Sequence, residues 1–324
     1  MVDVPVSGAL SYVQNGIEES AYGTEASTIN SAFGNGLTIT PTRRNNIVQV
    51  YGLGSRDAQK LIATKFEGAL EVNFVLGNAH WFPAFLGASS SGAVGSAYDH
   101  TYTAANTIPS ITVENGINLG TTDSVVKFLG CKINEFNITA AVGDIIRVRL
   151  LMPYKTESEG TTLDGTPATD AEEPLTFAHA SIDLPSGSTL VNIQSIELNG
   201  INSTEGVWGL GSRLLQKLVE KDRRVNFRIN GTFEVASALL EKFYGAGTGP
   251  IATSITETAT LVLTCTNGLT AADERTQVYT LTGIKLDEES LPQDPAAVTF
   301  ENVTGYGRTL GMVETDATET TIFD

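Results

Sequence analysis

A mainly β fold built from two tandem units, each with a short flanking helix, is predicted by three observations. Apolar and polar residues alternate with a period of two over long stretches, forty threonines favour extended backbone, and one signature occurs twice. The signature is Tyr51-Gly52-Leu53-Gly54-Ser55-Arg56, which returns as Trp208-Gly209-Leu210-Gly211-Ser212-Arg213. Gln59-Lys60-Leu61 then answers Gln216-Lys217-Leu218 at the same spacing. A length of 324 residues suits two such units of roughly 150 residues, here 1–170 and 171–324.

The two copies can be walked outward from the signature. Upstream, Ile39 falls opposite Ile196. Downstream, Phe66 to Val72 is set against Ile229 to Val235, which demands six extra residues in the second copy. Ile62 through Phe74 is expected to form one long strand with Lys65, Glu67, Glu71 and Asn73 on its polar side, and Val225 to Val235 its counterpart. Gly68 and Gly231 interrupt the apolar faces of these strands and are candidate strand-bend positions. Short helices are expected over Asn78–Leu86, stopped by Gly87, and Ala236–Tyr244, stopped by Gly245. Further on, Phe128 to Glu135 resembles Leu281 to Glu288. Residues 156–174, rich in acid, Gly and Pro, are expected to be a linker or exposed loop. The Ser-rich stretch 89–96 and the acidic end 315–324 are candidates for mobility or docking.

Composition excludes several classes of function. With 41% hydrophobic and 18% charged residues the chain can bury a sizeable core. Thirty-seven acids against 20 bases give a charge of −17, the wrong sign for tracking a phosphate backbone. No apolar run reaches membrane-spanning length, and the start Met1-Val2-Asp3-Val4-Pro5 lacks the marks of a signal peptide, so a soluble cytosolic chain without membrane insertion is expected. Cys131 and Cys265 cannot make a disulfide scaffold or a zinc site.

Signatures of chemistry are also missing. The Gly52/Gly54 and Gly209/Gly211 pairs lack the third glycine of a dinucleotide loop. His80, His100 and His179 have no ligand at metal-binding spacing, Gly87 to Gly92 lacks the spacing around a nucleophilic serine, and Asp164 to Asp170 departs from the EF-hand pattern. The expectation is therefore a protein that is not an enzyme, with no catalytic, cofactor-binding or metal residues.

The order of motifs resembles a known family. In the first copy it runs from Glu25 through Ile39–Arg44, Gly54-Ser55-Arg56, Gly68 and Leu86-Gly87, then Gly130 to Phe136 leading into Ala141 to Ile145. Pro174 to Phe177 followed by Ile196 to Gly200 opens the second copy in the same way. This is similar to the major tail tube proteins of long-tailed viruses of bacteria and archaea. The resemblance implies β-sandwich or partly closed barrel units whose strands join those of neighbours around a lumen. With two units per chain it implies self-association as trimeric rings of pseudo-sixfold symmetry, stacked into a tube that passes DNA without binding it. It further implies synthesis in the host cytoplasm, a place in the virion tail, and tail terminator, tape measure and baseplate proteins as partners.

On that reading the charge is a phosphate-repelling lumen, a means of keeping the chain dispersed before assembly, or the mark of a salt-rich habitat. Tyr51, Arg56, Trp208 and Arg213 are candidate contacts between units, because aromatics and arginines dominate interface cores. Arg43, Arg44 and the 157–173 loop are candidates for ring stacking. Rival readings are a tail fibre, a decoration protein or an adhesin, which would expose terminal binding loops. A type VI secretion tube protein is normally a single unit, and a glycan-active β-sandwich would need aromatic platforms that Trp81 and Trp208 alone scarcely provide.

Overall fold

The computed structural model describes residues 11–17, 21–95, 97–119, 123–170, 173–232, 242–245, 249–255, 259–269, 274–294 and 299–316. The first half contains β1 (Ser11–Ile17), β2 (Asn35–Arg44), β3 (Ile47–Tyr51), β4 (Ala58–Ala63) and β5 (Glu67–Val75). Helix α1 (Pro83–Leu86) follows, then β6 (Gly87–Val94), β7 (Ala97–Ala104), β8 (Ile111–Ile117), β9 (Ser124–Cys131), β10 (Glu135–Ala141), β11 (Arg147–Tyr154) and β12 (Thr156–Gly160). The second half contains β13 (Ala180–Asp183), β14 (Ile193–Ile201), β15 (Glu205–Trp208), β16 (Leu215–Val219) and β17 (Arg224–Thr232). It ends with β18 (Ala259–Thr266), β19 (Thr276–Ser290), β20 (Phe300–Gly307) and β21 (Thr309–Asp316). The protein is mainly β, as its alternating sequence predicts.

Eight strands form one antiparallel wall in the order β2-β5-β11-β10-β14-β17-β20-β19. The first four come from the first half and the last four from the second, so a single sheet crosses the middle of the chain through the β10–β14 pairing. The registers match as well. Ile39 is opposite Val72 as Ile196 is opposite Ile229, and both pairs of strands carry a bulge a few residues earlier, at Asn35/Thr38 and Ile193/Ser195. Val72 therefore stands where Ile229 stands. The six-residue insertion expected from the sequence is not needed, and Gly68 corresponds to Val225, not to Gly231.

A second layer covers the wall. In the first half it is the sheet β1-β8-β9-β12, and in the second β13-β18-β19-β21, where β19 is long enough to serve both layers. The β6–β7 hairpin of the first half extends the second cover through the pairing of β7 with β21. One face of each wall strand is apolar, so Leu70, Val72, Phe136, Leu150, Leu198, Phe227 and Ile229 pack beneath the covers in one cluster with Phe128, Leu261 and Tyr279. Trp81, Phe82 and Phe85 join that cluster from α1 and the turn before it, with Phe85 edge-on to Phe136 at 4.6 Å.

Several expectations are corrected. The strand expected over Ile62–Phe74 is broken at residues 64–66, because β4 belongs to a separate hairpin with β3 and only β5 enters the wall. The first helix keeps only its last turn, Pro83–Leu86, closed by Gly87 in the left-handed region at φ 106°. Of the second, residues 242–244 are helical and 236–241 lie outside the described residues. The acidic stretch 156–174 is tied down along much of its length. Its start is β12, Gln14 and Tyr12 bind Asp164, and Asn78 holds Asp170 at 2.9 Å. The Ser-rich stretch is β6. In the acidic end, β21 reaches Asp316, and 317–324 lie outside the described residues.

Candidate functional site

The wall presents one polar face and two open edges. On the polar face Asn73, Arg149, Asn137, Asn199, Asn226 and Tyr306 lie in one row of directly paired residues across six strands. Charges on it are matched: Arg149 reaches Glu71 at 3.0 Å and Glu135 at 3.5 Å, and Glu197 is opposite Arg228. The Arg149 guanidinium and the neighbouring Asn73 amide hold Glu71 below the usual carboxylate range. The acidic excess of the chain is not concentrated here.

One edge is β2, which among the described residues pairs with β5 alone. The other is Leu286–Ser290 of β19, which among the described residues pairs with β20 alone, since its pairing with β18 ends at Ile284 and with β21 at Thr282. Such rows of unpaired backbone groups need a cover, a partner or charge. Here they carry charge: Arg43 and Arg44 on one, Glu288 and Glu289 on the other.

The four expected contact residues divide into two pairs. Trp208 lies against the first half, its indole N–H donating to the Phe66 carbonyl at 3.2 Å and the Lys65 ammonium standing 4.4 Å over its ring. Arg213 donates to the Thr64 carbonyl at 3.1 Å and to Asn45 Oδ1 at 2.7 Å. Tyr51 and Arg56, their counterparts in the first signature, are exposed, Tyr51 by 60%. Leu53 and Leu210 project from the tips of the two hairpins, fully exposed. A Cβ at Gly68 would overlap the buried Tyr154 ring, whereas one at Gly231 would meet the end of the Ile193 side chain at 2.9 Å.

Two polar clusters join the halves without any local sequence signal. Asn202 donates to the carbonyls of Phe85 and Ile133, both at 3.0 Å, and accepts from Arg223, which also donates to the carbonyls of Leu86 and Ala105. Burial lowers the Arg223 pKa. The second cluster gathers His80, Glu314 and Asp316, whose ligand atoms lie within 4.8 Å of one another. Arg275 already occupies those carboxylates, 3.1 Å from Asp316 and 3.9 Å from Glu314, and His100 takes the other Asp316 oxygen at 3.1 Å. A fixed guanidinium makes this a structural ion network poorly suited to a metal. The residues involved are scattered from 80 to 316, which is why spacing alone could not reveal it.

A covered antiparallel wall with a polar face and unlike charged edges defines a β-rich protein of sheet-on-sheet architecture. The family model of the phage tail tube protein matches residues 8–307, and the chain belongs to that family. No curated protein matches the chain. As a tail tube protein it is a structural component of the virion tail. No helix among the described residues is long and apolar enough to cross a membrane.

Proposed function

We propose that the chain is two fused tube units, residues 1–170 and 171–324, and that three chains close head to tail into a ring of pseudo-sixfold symmetry. Stacked rings then form the hollow tube through which DNA passes from capsid to host cell during genome ejection. The observation that carries this reading is the wall itself, whose strand order in the first half recurs in the second and whose ends are two unlike open edges. The β10–β14 joint is a worked instance of one unit's last strand meeting the next unit's first. A heterologous contact of this kind closes when the rotation allows it, and closure removes both edges of the wall. Three walls would give about 24 strands, beyond the sixteen to eighteen at which barrels already leave an aqueous channel.

The polar face lines that channel. Arg149 is already ion-paired, Arg228 stands opposite Glu197, and the row across the wall is mostly amides, so DNA phosphates find few unspent cations to hold them. The hairpin tips at Leu53 and Leu210 carry ring stacking, being the most exposed large apolar side chains described. The end rings meet the tail terminator, tape measure and baseplate proteins, after synthesis of the chain in the host cytoplasm. Negative-stain electron microscopy with native mass on the same sample tests the reading. Hollow rings or tubes with three chains per ring are expected, and another count, or monomers alone at every concentration, overturns it.

A further inference from the structure

The internal joint also fixes which residues should meet when β19 of one chain reaches β2 of the next. Across that joint Glu135 is opposite Ile201, Phe136 opposite Gly200 and Asn137 opposite Asn199. The registers carry these positions to the open edges. Pairs Ile39–Val72 and Ile196–Ile229 equate β2 with β14, so Arg44 stands for Ile201 and Arg43 for Gly200. Pairs Leu150–Val72 and Val303–Ile229 equate β11 with β20. Phe136 opposite Leu150 and Glu289 opposite Val303 then equate β10 with β19, so Glu288 stands for Glu135 and Glu289 for Phe136.

Resting on the ring reading above, we infer that β19 of one chain pairs antiparallel with β2 of a second copy, Glu288 opposite its Arg44 and Glu289 opposite its Arg43. The chain-to-chain seam is thus held by opposite charge where the internal joint sets Glu135 against Ile201 and Phe136 against Gly200. Two independent features agree with this register. Both members of each pair fall on the same side of the sheet: Arg44 shares the polar face with Glu67, and Glu288 shares it with Thr304. In addition, Glu301 is buried beside Glu289, and its Oε1 has no hydrogen-bond partner in the single chain.

Arg43, placed by this register on that same side, brings the cation which two neighbouring acids need. It already holds Glu157 at 2.8 Å, and with its side chain 46% exposed it keeps further donors for a second carboxylate. The charges also choose the partner edge. Two β2 edges would oppose arginines, two β19 edges would oppose glutamates, and only the head-to-tail pairing is attractive.

Cross-linking tests the register. Directly opposed residues on antiparallel strands have Cα atoms about 4.5–5.5 Å apart, within disulfide reach, while diagonal pairs at about 7–8 Å are outside it. Arg44→Cys combined with Glu288→Cys should, on oxidation, give covalently closed rings of three chains on a denaturing gel. Arg44→Cys with Ser290→Cys should not, and the native Cys131 and Cys265 are buried and do not compete. Charge reversal gives a second readout: Arg44→Glu or Glu288→Arg alone should reduce ring formation at least tenfold with an unchanged melting temperature, and the two together in one chain should restore it. If rings form but the 44/288 pair stays reduced, or 44/290 cross-links instead, the register is wrong and the ring reading stands. If native mass finds no rings of the unmodified chain, both fall.

Discussion

Trp208 donates its indole N–H to the carbonyl of Phe66, 142 positions earlier in the chain, and so clamps the second half's hairpin to the first half. Its counterpart Tyr51 is 60% exposed. The aromatic of one signature is thus used inside the chain and that of the other is left open. Trp208→Ala should lower the stability of the single chain by about 1–3 kcal/mol, from the lost hydrogen bond, packing and cation–π contact. Tyr51→Ala should leave the melting temperature within about 1 °C and instead weaken ring formation by roughly tenfold, as interface aromatics do. Thermal unfolding read beside native mass separates the two effects, and equal loss of stability in both variants would remove the distinction.

Asn202 is a buried polar link between the halves, with two carbonyls and one guanidinium satisfied by a single amide. Asn202→Ala strands all three, and a loss of about 2–4 kcal/mol is expected in urea unfolding. A change below about 0.5 kcal/mol would show that the link is dispensable.

Gly68 and Gly231 differ in what a methyl group would meet. Gly68→Ala drives Cβ into the Tyr154 ring, itself buried, and should cost about 1–3 kcal/mol by overpacking. Gly231→Ala crowds the flexible end of Ile193 and meets backbone at ordinary contact distance, and should cost less than half as much. Chemical denaturation of the two variants in parallel decides the order.

Glu301 supplies a pH dependence. Burial, and after it the neighbouring Glu289 carboxylate, raise its pKa above the ordinary value. The folded chain therefore binds more protons than the unfolded one between the ordinary and the raised pKa. Its contribution to stability is present in full below the ordinary carboxylate pKa and is lost as pH rises through the raised one. Glu301→Gln should abolish that loss, so that its melting temperature relative to wild type rises by roughly 1–3 °C from pH 4 to pH 7 in dilute, unassembled protein. A difference independent of pH would rule out Glu301 as the titrating group.

By itself the sequence determined the β class and the placing of two hairpins that carry the same signature, because alternation and turn signatures are local and survive in the order of residues. It also singled out Trp208 and Arg213 as candidates, since an aromatic and an arginine beside a repeated turn need no partner to be noticed. Tertiary structure decided the rest. Whether Phe66 or Val72 answers Ile229 depends on hydrogen-bond register across a sheet, and a slip of an even number of residues leaves the apolar pattern intact. Which half Trp208 touches, how Asn202 meets Phe85, and how Arg275 comes to lie between Glu314 and Asp316 all follow from strands distant in sequence lying side by side. The wall's edges are of the same kind: β2 and the end of β19 look like any alternating strand until the pairing of the other wall strands shows that, among the described residues, each has a neighbour on one side alone.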